Sequence, residues 1–322
     1  MKAINSACIV GAGTIGSLFA GHLGAVVETS VLVRRQEHAD ALNKQGLRIS
    51  GKSERQVRLR ASVHPEELDD ADLVIIATKA AAVEDSVRRI DGFFPGASVM
   101  TVQNGLGCEA LVAGHGGWPI ISAVTFMSGV RHSDVHVEYE LDTATWMGPW
   151  ANGSATVEEV RQVAELVRKA GLKAEVFPDL LPAQWSKLIF NSVINSVAAI
   201  LDIPHVGAFA ERDNDTDLGH LIFAMIEEGK AVARARGIIL HEDPWEMNLQ
   251  AVHYGQTGAE DYAHVPSMLD DVRAKRATEI DWITGAIVRE ARQAGVPAPI
   301  NETLYRLVKA REASWAPGAS VG

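Results

Sequence analysis

The sequence predicts an α/β protein whose first half forms a doubly wound parallel sheet and whose second half is all-helical. Two observations support this. In the first half, short apolar runs alternate with helical patterns, which is typical of a parallel sheet covered by helices on both faces. After Pro182 the strand signals nearly vanish. A length of 322 residues also favours two domains, and we predict them at 1–180 and 181–322.

The strand-length apolar runs of the first half are followed by a more polar stretch. Alternation at 135–139 within residues 130–150 predicts an antiparallel extension of the sheet. The predicted strands are 7–10, 29–33, 72–77, 98–102, 120–126 and 173–177. The predicted helices are 14–23, 157–170, 183–201, 217–235, 278–294 and 302–313.

Composition limits the classes of function. Apolar residues make up 47% and charged residues 22%, which is typical of a globular protein. The net charge of -11 argues against binding to nucleic acid, since a phosphate backbone would be repelled. Cys8 and Cys108 are too few for a disulfide framework. Without a recognisable signal peptide or membrane span, we expect a cytoplasmic protein with no membrane partner.

A glycine motif, Gly11-Ala-Gly13-Thr-Ile-Gly16, follows the first strand and opens a helix. In that context the motif predicts a Rossmann-type dinucleotide site. The first glycine allows the tight turn, the second lets a pyrophosphate approach the backbone, and the third lets helix and strand pack closely. The pyrophosphate would then sit on N–H groups at the helix N-terminus.

The residue after the second strand indicates which dinucleotide binds. NAD-binding proteins place an acidic residue here, but this chain has Arg34 followed by Arg35. A guanidinium would pair with the 2′-phosphate of NADP(H), although two solvated arginines at a strand end would look the same. Lys79 and Asn104 follow two further strands at the same predicted edge, where an exposed loop lysine and an ordinary Asn-Gly turn are the alternatives.

A polar stripe marks the first helix of the second half. Lys187, Asn191 and Asn195 lie four residues apart, so they share one helix face. The other faces are apolar, which predicts a buried helix. Lysine is rarely buried without a polar partner, so we interpret the stripe as the wall of a polar cleft. The alternative is a lysine that snorkels to solvent while the asparagines bond neighbouring helices.

Two other clusters are ambiguous. Ser267 and Thr278 are typical of helix N-caps, and Glu279 then resembles an ordinary acid at a helix start. Tyr305 and Lys309 match the Tyr-x-x-x-Lys pair of short-chain dehydrogenases, but their place near the chain end favours an ordinary helix pair. The 11 histidines are scattered and no ligand spacing for a metal appears, so we predict no metal.

Taken together, these segments resemble the ketopantoate reductase (2-dehydropantoate 2-reductase) family along nearly the whole chain. The motifs that carry the resemblance occur in the family's order: Gly11-x-Gly13-x-x-Gly16, Lys79, Asn104-Gly105, Lys187-x-x-x-Asn191-x-x-x-Asn195, Ser267-Met268, Thr278-Glu279-Ile280-Asp281 and Val296-Pro-x-Pro-x-Asn301.

The resemblance implies reduction of 2-dehydropantoate to pantoate by NADPH, in pantothenate and coenzyme A biosynthesis. Lys187 would be the general acid, and Glu279 would hold substrate and lysine. The residues implied to bind substrate are Asn104, Asn191, Asn195 and Ser267. Those implied to bind NADP(H) are Gly11, Gly13, Gly16, Arg34, Lys79 and Asn104.

Departures from the family pattern leave the substrate open. The 241–265 segment is long and contains Trp245, His253, Tyr254, Tyr262 and His264. Lys275 stands where the family often has glycine. Alternative functions are a related NADP-dependent reductase of another 2-oxo acid, and a non-catalytic dinucleotide sensor. The sequence does not determine the oligomeric state, and a homodimer is one of the states that it allows.

Overall fold

The computed structural model describes residues 3–206, 209, 216–256 and 265–315. The chain divides into two compact units. The first comprises Met1–Gln103 and Cys108–Leu180, and the second comprises Asn104–Gly107 and Leu181–Gly322. A short loop that follows a strand of the first unit therefore belongs structurally to the second.

The first unit alternates strands and helices in chain order. Its strands are β1 (Ser6–Val10), β2 (Glu28–Leu32), β3 (Leu47–Gly51), β4 (Arg55–Val57), β5 (Arg60–Ser62), β6 (Leu73–Ile76), β7 (Ser98–Thr101), β8 (Ile120–Thr125), β9 (Ser128–Ser133), β10 (His136–Leu141), β11 (Thr145–Pro149) and β12 (Ala174–Val176). Its helices are α1 (Thr14–Leu23), α2 (Gln36–Gln45), α3 (Val83–Ile90), α4 (Cys108–Ala113) and α5 (Val157–Lys169).

The main sheet has eight strands in the order β12-β11-β8-β7-β6-β1-β2-β5. The strands from β8 to β5 in this order all pair in parallel. From β1 the chain moves to β2 on one side and later returns to β6 on the other, so the strand order reverses at β1. Ligands bind beyond the carboxyl ends of the strands at such a switch point. The predicted doubly wound fold is confirmed.

The predicted antiparallel extension is only half right. β11 does pair antiparallel with β8. However, β9 and β10 join β3 and β4 in a separate sheet, in the order β4-β3-β10-β9. The edge of β8 is already occupied by β11, and the apolar face of β10 is buried elsewhere. Val137 and Tyr139 of that strand are buried in the same core as Phe19 of α1.

Helix α1 is buried between the two sheets of the first unit. Every residue from Gly16 to Leu23 is buried. On one side the helix contacts β1 and β2, and on the other it contacts β3, β9 and β10. At Gly21 an added Cβ would lie 2.6 Å from a side-chain carbon of Ile49, so the small sheet packs directly on the helix. This packing holds α1, the helix that the glycine motif opens.

The second unit is built from helices in the part that the structure describes. They are α6 (Leu181–Leu201), α7 (Asp217–Ala235), α8 (Pro244–Gln256), α9 (Ser267–Arg273), α10 (Thr284–Ala294) and α11 (Pro299–Ala313). Helix α6 is buried almost all round and lies in the middle, in contact with the other five. No described helix is long and apolar enough to cross a membrane.

The helix predicted at 278–294 begins later than expected, at Thr284. Residues 278–283 form a turn instead, closed by a bond from the Gly285 N–H to the carbonyl of Ile280 at 2.8 Å. The Thr278 hydroxyl does accept a local N–H, that of Ile280, at 3.2 Å, but this bond shapes the turn. Ser267 is not an N-cap either. It is the first residue of α9, and Pro266 is the N-cap of that helix.

Candidate active site

The glycine loop has the geometry that a dinucleotide pyrophosphate needs. Gly11 has a φ of +98°, which favours glycine. A Cβ on Gly16 would lie 1.9 Å from the carbonyl oxygen of Gly11, so only glycine lets α1 approach the loop this closely. A Cβ on Gly13 would meet nothing within 4 Å. The backbone at Gly13 thus borders open space at the N-terminus of α1, as a cradle for an anion requires.

The predicted phosphate-binding cations follow neighbouring strands at one edge of the main sheet. Val10 of β1 pairs with Leu32 on one side and with Ile76 on the other. Arg34 follows β2 and Lys79 follows β6, and both side chains are exposed. Parallel strands end at a common edge, so both cations lie at the carboxyl edge that also carries the glycine loop.

The two adjacent arginines after β2 differ in their partners. Arg35 donates two hydrogen bonds to the carboxylate of Asp134, at 2.6 and 2.7 Å. Those bonds, together with the charge of Asp134, raise the pKa of the Arg35 guanidinium. Arg34 has no hydrogen bond or ion pair with any residue that the structure describes. Of the two, Arg34 is therefore the one available to an external anion.

The polar stripe lies on α6 as predicted, and its side chains are buried. Lys187 and Asn191 are each 8% exposed and Asn195 is 4% exposed. These values are too low for a lysine whose ammonium snorkels into solvent. Ile189 on another face packs against Gly229 of α7, where an added Cβ would lie only 2.8 Å away. The helix is thus enclosed on its apolar side, and the stripe needs polar partners.

Glu279 supplies a charge for Lys187. Burial lowers the pKa of Lys187 from its ordinary value of 10.5 to about 7, and the negative charge of Glu279 partly opposes this shift. Glu279 itself is only 6% exposed. It does not lie at a helix start, since α10 begins five residues later. The turn therefore places a carboxylate where it acts on a buried lysine, which is the arrangement of a tuned acid–base pair.

The loop Asn104–Gly107 attaches to the same turn. The Leu106 N–H donates to the carbonyl of Trp282 at 3.1 Å. Gly105 has a φ of +98°, and a Cβ there would lie 2.1 Å from the Trp282 oxygen. Glycine is thus required for the loop to reach this turn. The contact brings Asn104 to α6, where the Asn191 side-chain amide donates to Asn104 Oδ1 at 3.4 Å.

Asn195 connects the stripe to the start of α9. Its Oδ1 accepts the backbone N–H of Met268 at 3.4 Å. Ser267, the residue before, is exposed at the first position of that helix. The structure thus brings together several of the predicted residues in the second unit. Lys187 interacts with Glu279, and Asn191 bonds Asn104. Asn195 bonds Met268, the residue after Ser267. It gives no contact between Ser267 itself and the stripe.

Helix α11 holds the turn that carries Glu279. Asp281 accepts hydrogen bonds from Tyr305 Oη at 2.8 Å and from Lys309 Nζ at 2.9 Å. At the start of the turn, Glu312 Oε1 accepts both the N–H and the hydroxyl of Thr278, each at 2.7 Å. The Tyr-x-x-x-Lys pair is therefore used for structural contacts by α11. It fastens one end of the turn to α11, and Glu312 fastens the other.

The departures from the family pattern have partial structural explanations. Much of the 241–265 segment is helix α8, in which Trp245 is buried against Phe223. Tyr262 and His264 lie outside the described residues, as do the side chains of His253 and Tyr254. Lys275 has a φ of +51°, a left-handed conformation that favours glycine.

One positioning residue of the first unit escaped the sequence analysis. Gln103 ends the chain segment after β7, and its side-chain amide donates to the carbonyls of Ile76 at 2.7 Å and Thr78 at 3.0 Å. These bonds hold the loop that leads to Lys79. A polar residue directly after an apolar strand, next to the Asn104-Gly105 pair, was the available signal.

Comparisons with known proteins show to which family the chain belongs. The family model described as ketopantoate reductase PanE/ApbA matches residues 7–152, and the model of that family's C-terminal region matches residues 179–312. A 2-dehydropantoate 2-reductase from Pyrococcus horikoshii is 34% identical over 304 residues, which cover 94% of this chain and 96% of the relative.

Solved structures share the fold over almost the full length. A PanE/ApbA family ketopantoate reductase from Ralstonia eutropha JMP134 matches with a TM-score of 0.83 at 25% identity, covering 96% of this chain and 99% of that one. D-mandelate dehydrogenase, in a ternary structure with NADH and anilino(oxo)acetate, matches with a TM-score of 0.83 at 24% identity and the same coverage, which establishes a common fold alone. Because the two family models match successive parts of the chain and a 34% identical relative spans nearly all of it, this protein belongs to the ketopantoate reductase family.

Proposed function

We propose that this protein is an NADPH-dependent oxidoreductase that reduces 2-dehydropantoate to pantoate. The observation that carries the proposal is the buried Lys187, whose pKa of about 7 reflects burial opposed by the charge of Glu279. A dinucleotide-binding protein without catalytic activity has no need of such a pair. The relative from Pyrococcus horikoshii is named 2-dehydropantoate 2-reductase. The pantoate product would serve pantothenate and coenzyme A biosynthesis.

The residues at the sheet edge fit a bound NADPH. Gly11, Gly13 and Gly16 would hold the pyrophosphate, because the space beside Gly13 is open and the backbone there is exposed. Arg34 would pair with the 2′-phosphate, and Lys79 would contact a phosphate or ribose from the neighbouring strand. When bound, NADPH supplies the hydride that reduces the substrate carbonyl carbon.

Lys187 would supply the proton. Reduction of a ketone leaves negative charge on the carbonyl oxygen, and an ammonium within hydrogen-bond reach stabilises that charge. A lysine with its pKa near 7 is a better acid at neutral pH than one with an ordinary pKa, because the transfer of its proton is less unfavourable. Glu279 would keep enough of the lysine protonated by opposing the effect of burial.

The amide side chains would orient the oxo acid. Asn191 and Asn195 lie one and two helical turns from Lys187 on the same face, and Asn104 is hydrogen-bonded to Asn191. Each amide offers both donors and an acceptor, so the group can bond a carboxylate, a hydroxyl and a ketone. Ser267, beside the N–H that Asn195 accepts, would lie near the substrate carboxylate.

The test is the decrease in NADPH absorbance with 2-dehydropantoate and a panel of other 2-oxo acids. The proposal expects the highest kcat/KM with 2-dehydropantoate. A clear preference for another 2-oxo acid would instead identify a related reductase with an altered pocket. NADPH binding without turnover of any substrate would identify a dinucleotide sensor. We also propose a cytoplasmic location, since Cys8 and Cys108 are both buried thiols, as is usual in a reducing compartment.

A further inference from the structure

The end of strand β2 brings two arginines from different elements together. Arg34 lies two residues after the strand, next to Val33. Arg89, near the end of α3, reaches the same place, where its Nη2 donates to the carbonyl of Val33 at 3.0 Å and to that of Val63 at 2.7 Å. The guanidinium of Arg89 is thus fixed on the carbonyl of the residue that precedes Arg34.

These two positive charges are not compensated by nearby acids. Burial lowers the pKa of the Arg89 guanidinium, and the charge of Arg34 lowers it further. The neighbouring Arg35 is neutralised by Asp134 through two hydrogen bonds. Neither Arg34 nor Arg89 forms an ion pair with any acidic residue that the structure describes. Two like charges near each other repel, and an anion bound beside them would relieve that repulsion.

Arg89 also has donors to spare. Both of its hydrogen bonds use Nη2, and its Nη1 and Nε have no partner within the described residues. A guanidinium has five N–H donors in a rigid plane, so three remain for phosphate oxygens, two on Nη1 and one on Nε. The two carbonyl bonds fix the plane in advance, so little side-chain entropy remains to be lost on binding.

We propose that Arg89 is a second cofactor-specificity residue, which binds the 2′-phosphate of NADPH together with Arg34. The inference rests on the proposed NADPH dependence and extends it to a residue outside the strand-end motif. The sequence gives no local sign of this role, since Arg88 and Arg89 look like any basic pair in the last turn of a helix.

The competing role for Arg89 is structural. Its bonds to Val33 and Val63 also link the ends of β2 and β5, and this would help any nucleotide bind by keeping the edge of the sheet in place. The two roles differ in one measurable respect. Loss of a structural link weakens every nucleotide alike, whereas loss of a phosphate ligand weakens only nucleotides that carry the 2′-phosphate.

The experiment measures binding of two probes by calorimetry, adenosine 2′,5′-bisphosphate and adenosine 5′-monophosphate. Arg89→Met retains most of the apolar stem and removes the charge. Arg88→Met is the matched control, because Arg88 is exposed on the same helix and pairs with Glu84 and Asp85. Melting temperatures check folding. Arg89→Lys, which keeps the charge but loses the fixed plane of donors, serves as a milder second variant.

We expect Arg89→Met to weaken the bisphosphate about 10- to 100-fold, as for lost hydrogen bonds to a charged group, and to leave the monophosphate unchanged. Arg89→Lys should fall between Arg89→Met and the unmodified protein, and Arg88→Met should match the latter. An equal loss with both probes, or no loss, overturns the inference. An unmodified protein with no preference for the bisphosphate overturns it together with the NADPH assignment. Failure to reduce 2-dehydropantoate would overturn the proposed substrate alone.

Discussion

The carboxylate of Glu312 accepts both the backbone N–H and the hydroxyl of Thr278, at 2.7 Å each. Thr278 is 3% exposed and stands directly before Glu279 in the chain. The geometry of the turn that carries Glu279 therefore depends on a side chain from the last described helix. A residue remote in sequence can thus influence the lysine on α6 through this turn.

Glu312→Ala should loosen that turn. Two hydrogen bonds to a charged group are lost and a buried hydroxyl loses its acceptor, so we expect a destabilisation of about 1–3 kcal/mol. The pH at which kcat/KM begins to fall should also decrease, as Glu279 is held less closely to Lys187. Denaturant unfolding and a pH–rate profile measure the two effects.

Glu302→Ala is the control on the same helix, since its pairs with Arg292 and Arg306 lie at the surface. A normal pH profile in Glu312→Ala would contradict the link to Lys187.

Lys187→Ala should fold and bind NADPH but lose turnover by about 10²–10⁴, the usual loss for a positioned proton donor. NADPH fluorescence measures binding and absorbance measures turnover. In the unmodified protein, kcat/KM should fall as the pH rises through the pKa of about 7, because the protonated lysine is the proton donor. Near-normal turnover in Lys187→Ala would mean that the stripe on α6 serves packing alone.

Glu279→Gln should reduce turnover strongly while leaving the melting temperature near normal. The negative charge of Glu279 raises the pKa of Lys187, so its removal lowers that pKa further. The decline of kcat/KM with rising pH should therefore begin at a lower pH than in the unmodified protein. The measurement is a pair of pH–rate profiles under identical conditions. An unchanged profile would indicate that Glu279 only shapes its turn.

Gly13→Ala and Gly16→Ala should separate cofactor binding from packing. The first adds a methyl group to open space, so we expect normal stability and weaker NADPH binding. The second places a methyl group 1.9 Å from the carbonyl oxygen of Gly11, so we expect a loss of stability of about 1–3 kcal/mol. Thermal melting and NADPH titration distinguish them. Full NADPH affinity in Gly13→Ala would argue against the pyrophosphate position.

Arg34→Asp should reverse cofactor preference. The carboxylate repels a 2′-phosphate and can accept a hydrogen bond from the ribose of NADH, so kcat/KM should fall with NADPH and be retained with NADH. Kinetics with both cofactors, for the variant and the unmodified protein, test this. Equal kinetics with both cofactors before any substitution would exclude Arg34 as a specificity residue.

Local patterns predicted the parts of this molecule whose structure is determined locally. The apolar run before Gly11 and the helix after it depend on neighbours in sequence, and the predicted helix 14–23 has the observed bounds. The burial of the stripe on α6 was predictable because the other faces of that helix are apolar. Polar side chains on a buried helix need polar partners. The preference for NADP(H) was predicted from the place of Arg34 after the second strand, without knowledge of any contact that Arg34 makes.

The parts that local patterns missed depend on distant partners. Val137 and Tyr139 alternate like any edge strand, and only pairing of β10 with β3 determines which sheet they join. Thr278 carries a helix-cap signal, but Glu312 takes its hydroxyl and N–H and the helix starts later. Arg89 acquires its place from the carbonyls of Val33 and Val63, which are remote in sequence.

The loop Asn104–Gly107 has a consequence for how this protein can be divided. Because it belongs to the helical unit, the polypeptide passes between units three times, at 103/104, 107/108 and 180/181. A gene fragment that begins at Leu181 would encode every described helix of that unit. It would still lack Asn104, the partner of Asn191, and the Leu106 N–H that donates to the Trp282 carbonyl. The two parts of the chain on either side of residue 180 therefore cannot simply be exchanged between relatives. A chimaera joined at residue 180 needs its residues 104–107 to match the parent that supplies the helical unit.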